Sequence, residues 1–268
     1  MFMNEYGRKT VVINLDPAND ALPYEAVVDI SDFIKVQTVM EERRLGPNAA
    51  LLYCMQRINE NFEWLSLKLE TFKDCYLLFD CPGQVELHTH DTSLKSIVQK
   101  LVKAGFHLAT VHLIDSTFCS EPSKFISALL LSLKVMMFFE LPHLNVLSKL
   151  DIIESMGKLD FNIDFYTDVL DLKYLSDKLN ESINPKYHKM TMLLCEMIQE
   201  FSLVSFQTLA IEDKESVFNL MCEADKCNGY IFGAASENNE SIIKVAVAEK
   251  SSLEKQKMTE KYVHGGSK

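Results

Sequence analysis

Five short apolar runs punctuate the chain, at 10–15 (TVVINL), 75–79 (CYLLF), 107–114 (HLATVHLI), 144–147 (LNVL) and 202–209 (SLVSFQTL). Each is continuous rather than alternating, the pattern of strands buried on both faces of a parallel sheet. Longer segments with apolar residues at helical spacing separate them, at 92–105, 121–139, 166–181, 186–201 and 212–228. Strands and helices in alternation predict an α/β fold around a mostly parallel central sheet. Two more helical stretches, near 31–43 and 49–70, form an insertion between the first two strands. No internal repeat or Gly/Ser linker interrupts the pattern. From about 234 it decays into SENNES and the charged EKSSLEKQKMTEKYVHGGSK. The reading is one domain over 1–233 and a partly disordered extension over 234–268.

Composition narrows the class. With 268 residues, 47% of them hydrophobic, the chain can bury a large core. A formal charge of −11 argues against sequence-independent nucleic-acid binding, which needs clustered Lys and Arg. The seven cysteines, at 54, 75, 81, 119, 195, 222 and 227, form no CxxC pair, which suits a reducing compartment and no zinc site. The start, MFMNEYGRKT, has no apolar signal core. The greasiest stretch, 125–139, is 15 residues long and carries Lys134, so it is expected not to span a bilayer. These features predict a soluble intracellular protein with no membrane partner.

Four of the five runs lead, directly or within four residues, to an aspartate: Asp16, Asp80, Asp115 and Asp151. Open α/β sheets bind ligands outside the carboxyl ends of their strands. Carboxylates there can hold Mg²⁺, position water or accept protons from a base edge. The plainer role for any one of them is to cap the next helix.

Asp80 opens the most specific motif, Asp80-Cys81-Pro82-Gly83-Gln84-Val85-Glu86. An aspartate after a buried strand, followed by Pro-Gly-Gln, resembles the Walker-B and switch arrangement of P-loop GTPases. The carboxylate sits near Mg²⁺, Gly83 lets the backbone approach the γ-phosphate, and Gln84 can orient water. Ser148-Lys149-Leu150-Asp151 follows the fourth run and is similar to a guanine-specificity motif. Asp151 could accept two protons that guanine offers and adenine does not, while the stem of Lys149 lies across the base. His88 and His90 in ELHTH read as helix surface, Met136 to Phe139 as core, and Cys81 as an unactivated thiol.

Gly46-Pro47-Asn48 would be an ordinary turn elsewhere. In the order DPAND at 16–20, GPN at 46–48 and DCPGQVE at 80–86, it resembles the GPN-loop GTPases, their type-two branch in particular. NLDPANDALPYE, RLGPNAALLYCM, VHLIDSTFCSEPSKFISALL, ELPHLNVLSKLD and SLVSFQTLAIEDKES extend the likeness over about 7–232. The resemblance implies a three-layer P-loop NTPase-like fold, GTP and Mg²⁺ as ligands, and hydrolysis of GTP by a dimeric switch. It implies a homodimer, or a heterodimer with another GPN-loop GTPase. RNA polymerase II and III subunits would be clients, in assembly and nuclear import, and the protein cytoplasmic with shuttling to the nucleus. By the same resemblance Asp16 and Asp80 are metal-site carboxylates, and Asp16, Gln84 and Glu86 attend the lytic water. Gly46, Pro47 and Asn48 form the cross-dimer loop, with Asn48 reaching the γ-phosphate. Lys149 and Asp151 hold guanine, and Ser205 with Phe206 contributes backbone contacts to the base.

The sequence departs from that family at one point. No GxxxxGK[ST] occurs in it, and only nine residues precede TVVINL, with Gly7 as the stop of a short helix. The expectation is a fold whose first strand and phosphate loop are absent, leaving the 75–79 and 107–114 strands separated by a gap or paired directly. Two other functions stand beside GTP hydrolysis: a non-hydrolysing dimerisation module, and another P-loop enzyme such as a small-molecule kinase. SKLD and the GPN loop argue against the latter.

Overall fold

The computed structural model describes residues 2–230 apart from Asp20, Gly157, Lys158, Asp160, Leu170 and Ser202. The extension expected over 234–268 lies outside the described residues. The chain forms two compact units, Met1–Phe106 and His107–Lys268.

In the first unit, helix α1 (Phe2–Glu5) stops at Gly7, whose φ of 76° is open to glycine at little cost. Three strands, β1 (Thr10–Asn14), β2 (Ala26–Asp29) and β3 (Tyr76–Asp80), pair in parallel in the order β2-β1-β3. Between β2 and β3 run α2 (Val36–Arg43), α3 (Pro47–Glu60) and α4 (Phe62–Glu70), and after β3 come α5 (Val85–Thr89) and α6 (Thr92–Lys103). β2 was not evident from the sequence. Its four residues, AVVD, follow a turn-rich DPANDALPYE and are too short to show a period. The helical insertion therefore lies between the second and third strands, not the first and second.

Ile13, Ala50, Cys54, Met55, Leu65, Leu69 and Ile97 are buried to within 0% of exposure and carry this unit's core. α6 contributes Leu94, Ile97 and Leu101 from one face, three and four residues apart. Its Lys100 ties it to α3 through the backbone oxygen and Oδ1 of Asn59, at 2.6 and 2.8 Å.

In the second unit, β4 (Thr110–Asp115), β5 (His143–Ser148) and β6 (Phe206–Thr208) pair in parallel in that order. α7 (Pro122–Phe139) links the first two. α8 (Ile163–Thr167), α9 (Lys173–Ser182) and α10 (His188–Phe201) precede β6, and α11 (Lys214–Asn228) follows it. The helix expected over 166–181 is broken, because Val169 and Asp171 take left-handed φ values of 52° and 41°. α7 has 18 residues, not 15, and by length and composition alone it is long and apolar enough to cross a membrane. Its Phe125, Ile126, Ala128, Leu129 and Leu133 nevertheless lie in the second unit's core, where Phe125 meets Tyr166 edge-on at 5.0 Å.

Burial on both faces holds only for the central strands β1 and β5. β3 and β4 are each the edge of their own sheet, and β4 alternates, with Val111 and Leu113 exposed and Ile114 buried.

Candidate functional site

The first unit's site grows from the carboxyl ends of its strands. Asn14 is in register with both Asp29 and Asp80, so β2, β1 and β3 present Asp29, Asn14 and Asp80 in a row. Asn14 is fully buried, and its amide organises the chain that follows. Nδ2 donates to Asp29 Oδ1 at 2.9 Å and to the Asp16 carbonyl at 3.2 Å, while Oδ1 accepts the Asp16 N–H at 3.0 Å. Asp16 Oδ1 accepts the Ala18 N–H at 2.9 Å. Burial pushes the Asp16 carboxyl above its ordinary value, the Ala18 amide opposes this, and the charge of Asp80 adds to the rise. Asp80 Oδ2 accepts a hydrogen bond from the Tyr24 phenol. Asp16, Asp29 and Asp80 make no ion pair with Lys or Arg among the described residues.

The motif after Asp80 turns immediately. Pro82 is buried, and Gly83 is exposed with open space where a Cβ would stand. Burial also drives the Cys81 thiol up to about 12, with Asp80 and Asp16 adding to the shift, which keeps it an inert thiol. Glu86 projects exposed from the first turn of α5. His88 is not a free surface residue: its Nε2 lies 2.6 Å from the Pro82 carbonyl and braces the turn from within α5. Burial holds its imidazole below the usual range, despite the Pro82 contact.

The Gly-Pro-Asn segment is the start of α3. α2 ends at Arg44 in a left-handed conformation, φ 53°, Gly46 is the N-cap of α3 and Pro47 fills its first turn. All three residues are exposed. Asn48 Oδ1 accepts from Gln84 Nε2 of the same chain at 3.2 Å, so two residues separated by 36 positions meet. Gln84 Oε1 is buried without a hydrogen-bond partner.

In the second unit, Asp115 and Ser148 stand side by side at the ends of β4 and β5. Asp115 caps the short 3₁₀ turn Ser116–Ser120, accepting the Thr117 N–H at 2.9 Å. Its other oxygen accepts Lys149 Nζ at 2.8 Å. Burial would raise the Asp115 carboxyl, but Lys149 and Thr117 hold it below its ordinary value. Asp115 is thus the capping aspartate of the four. Lys149 adopts φ 58°, and the buried Ser116 hydroxyl donates to its carbonyl at 2.9 Å. The turn leaves Asp151 exposed at the start of a 3₁₀ helix.

Ser205 and Phe206 do not sit with them. The register pairs Asn145 with Phe206 and Leu147 with Thr208, which puts Ser205 before β6 begins and at the opposite end from Lys149 and Asp151. Ser205 is exposed and its carbonyl accepts Asn145 Nδ2 at 3.4 Å; Phe206 is core. The carboxyl end of β6 instead offers Leu209 and Ala210. The Leu209 carbonyl accepts the Leu150 N–H at 3.2 Å, and the Ala210 N–H donates to Ser216 Oγ at 3.1 Å. The N-cap Asp213 of α11 marks this end in the sequence and could have fixed the register. Tyr24 and Asn14 also escaped sequence reasoning, since neither residue type signals a carboxylate partner by spacing.

Comparison with known proteins agrees with the motif order. A family profile described as "Conserved hypothetical ATP binding protein" matches residues 1–230. The chain is 50% identical over 239 residues to GPN-loop GTPase 2 of Danio rerio, covering 89% of this chain and 77% of that protein. It is 50% identical over 251 residues to GPN-loop GTPase QQT1 of Arabidopsis thaliana (92% and 84%), and 43% over 249 residues to GPN-loop GTPase 2 of Saccharomyces cerevisiae (90% and 72%). This chain belongs to the GPN-loop GTPase family. A solved structure, a GTPase in apo form from Pyrococcus abyssi, superposes with a TM-score of 0.67 at 21% identity, covering 84% of this chain and 89% of that one. That likeness supports the P-loop GTPase fold.

The family's use of a divalent cation can be tested on the residues present. Asp16 and Asp80 offer only oxygen donors, lack a cationic partner, and feel each other's charge. Among the described residues no group of three or more His, Cys, Asp or Glu forms a metal cluster. Two carboxylates with the remaining positions left to water and phosphate are what Mg²⁺ accepts. The residues fit.

Proposed function

We propose that this chain binds GTP with Mg²⁺ and hydrolyses it as a dimeric switch. The observation that carries the reading is the unneutralised pair Asp16 and Asp80 beside the Pro-Gly-Gln turn, in a chain half identical to named GPN-loop GTPases. Mg²⁺ would neutralise the phosphate oxygens. Asp80 and Asp16 hold it, Gln84 and Glu86 orient the attacking water, and Gly83 gives the γ-phosphate room. Asp151 reads guanine, Lys149 covers the base, and Leu209 and Ala210 replace Ser205 as the backbone beside them. The exposed Gly46, Pro47 and Asn48 would meet a partner, a second copy or another GPN-loop GTPase. Asn48 then exchanges its bond to Gln84 for a contact across the dimer. The same resemblance supports RNA polymerase II and III subunits as clients in assembly and nuclear import, and a cytoplasmic protein that shuttles.

A second reading is an interaction module that presents the exposed Gly46, Pro47 and Asn48 and does not turn over GTP; the 268 residues hold no GxxxxGK[ST] stretch. Phosphoryl transfer rests on positioning and charge neutralisation, which such a loop supplies through its amides and lysine. On this second reading the 268 residues alone show no measurable single-turnover hydrolysis of GTP. Titration with a fluorescent GTP analogue beside that assay separates the readings. Hydrolysis that Asp80→Ala abolishes would overturn the expectation and establish the first reading outright; absence of binding in any dimer would leave only the second.

A further inference from the structure

Resting on the reading of Asp80 as a metal ligand, we infer that Tyr24 is a positioning residue for the divalent cation. The loop between β1 and β2 begins with Asp16 and ends by returning the Tyr24 phenol onto Asp80, 56 residues away in sequence. The phenol donates to Oδ2 of Asp80. Asp80 has no other side-chain hydrogen bond or ion pair among the described residues, so its second oxygen is free. A carboxylate has about four lone-pair sites, and one donor on one oxygen leaves a complete face for a cation on the other. Held this way, Asp80 cannot rotate to exchange its two oxygens.

The choice of a phenol follows from the surroundings. A lysine at this place would neutralise Asp80 and repel a cation. A neutral donor fixes the carboxylate without discharging it, the role that second-layer partners of metal ligands play. Because Asp16 and Tyr24 lie in the same connection between β1 and β2, the bond from Tyr24 also ties that connection to β3.

The test is Mn²⁺ affinity of the 268-residue chain, read by electron paramagnetic resonance of the free ion. Asp80→Asn must abolish the binding; if wild type and Asp80→Asn bind Mn²⁺ alike, or wild type binds none, the reading of Asp80 fails and this inference with it. Given that loss, Tyr24→Phe is expected to weaken Mn²⁺ on the order of 10-fold, with an unchanged thermal midpoint in metal-free buffer. Unchanged or tighter binding in Tyr24→Phe overturns the role of Tyr24 alone, since tighter binding means the phenol competes with the cation. If Tyr24→Phe does not fold, the ring-carbon resonance of Tyr24 in the wild-type chain decides. A hydrogen-bonded shift kept at saturating Mg²⁺ supports the inference, and a move to the solvent-exposed value refutes it.

Discussion

Asp80 closes β3 in one unit and Asp115 closes β4 in the other, and their surroundings differ in sign. Asp80 meets a neutral phenol and the charge of Asp16, with no cation at hand. Asp115 meets Lys149 and the Thr117 amide, and is neutralised and capped. The first arrangement leaves negative charge for something outside the chain to balance. The second uses its charge to hold a turn, so that Asp151, two residues past Lys149, stands open to neutral donors. An aspartate after a parallel strand is therefore a position, and the donors around it decide whether it serves a ligand or the fold.

The largest effect expected from probing this contrast is on base selection. In a fusion that places a relative's phosphate-loop segment ahead of the chain, Asp151→Asn should lower the preference for GTP over ATP by about 1–3 kcal/mol, because one acceptor becomes a donor facing guanine. Competition binding of the two nucleotides reads it. Equal affinity before the substitution would end the assignment of Asp151 to guanine selection.

Next in size is stability. Asp115→Ala removes a cap and should cost about 1 kcal/mol in urea denaturation, whereas Asp80→Asn removes repulsion with Asp16 and should cost nothing or stabilise slightly. If both variants lose stability equally, the contrast between the two carboxylates collapses.

The pH dependence follows with opposite signs. The Asp115 carboxyl titrates lower in the folded chain than unfolded, so its contribution is present above the unfolded value and lost as pH falls through the folded one. The Asp16 carboxyl titrates higher when folded, so it costs stability above that raised value and the cost is relieved as pH falls through it. Asp115→Ala should flatten the acid loss of stability, and Asp16→Asn should steepen it, in midpoints measured from neutral to acid pH. The smallest effect is at Asn48. Asn48→Ala breaks an exposed hydrogen bond and should move the single chain's stability by no more than about 0.5 kcal/mol, leaving room for a larger effect on dimer affinity measured by sedimentation.

Much of this was legible in the order of residues. β1 and β5 read correctly because a central strand is buried on both faces, and DCPGQVE and SKLD fall at strand ends as expected, because turns and carboxylates there follow local rules. β2 did not, since AVVD is held by pairing with β1 rather than by its own pattern. The register of β6 also failed, because its apolar run begins four residues before the strand and only the bond partners of Leu147 show where it ends. The Asn48–Gln84 and Tyr24–Asp80 contacts span 36 and 56 residues, a distance over which spacing carries no signal.

Asn14 gives the first unit a particular exposure to chance. One base substitution, or the spontaneous hydrolysis of its amide as the molecule ages, turns it into aspartate by exchanging NH₂ for oxygen. That single exchange leaves at most one donor where there were two, to Asp29 and to the Asp16 carbonyl, and sets a fourth carboxyl among Asp16, Asp29 and Asp80. A fully buried acid there must keep its proton or unfold its surroundings.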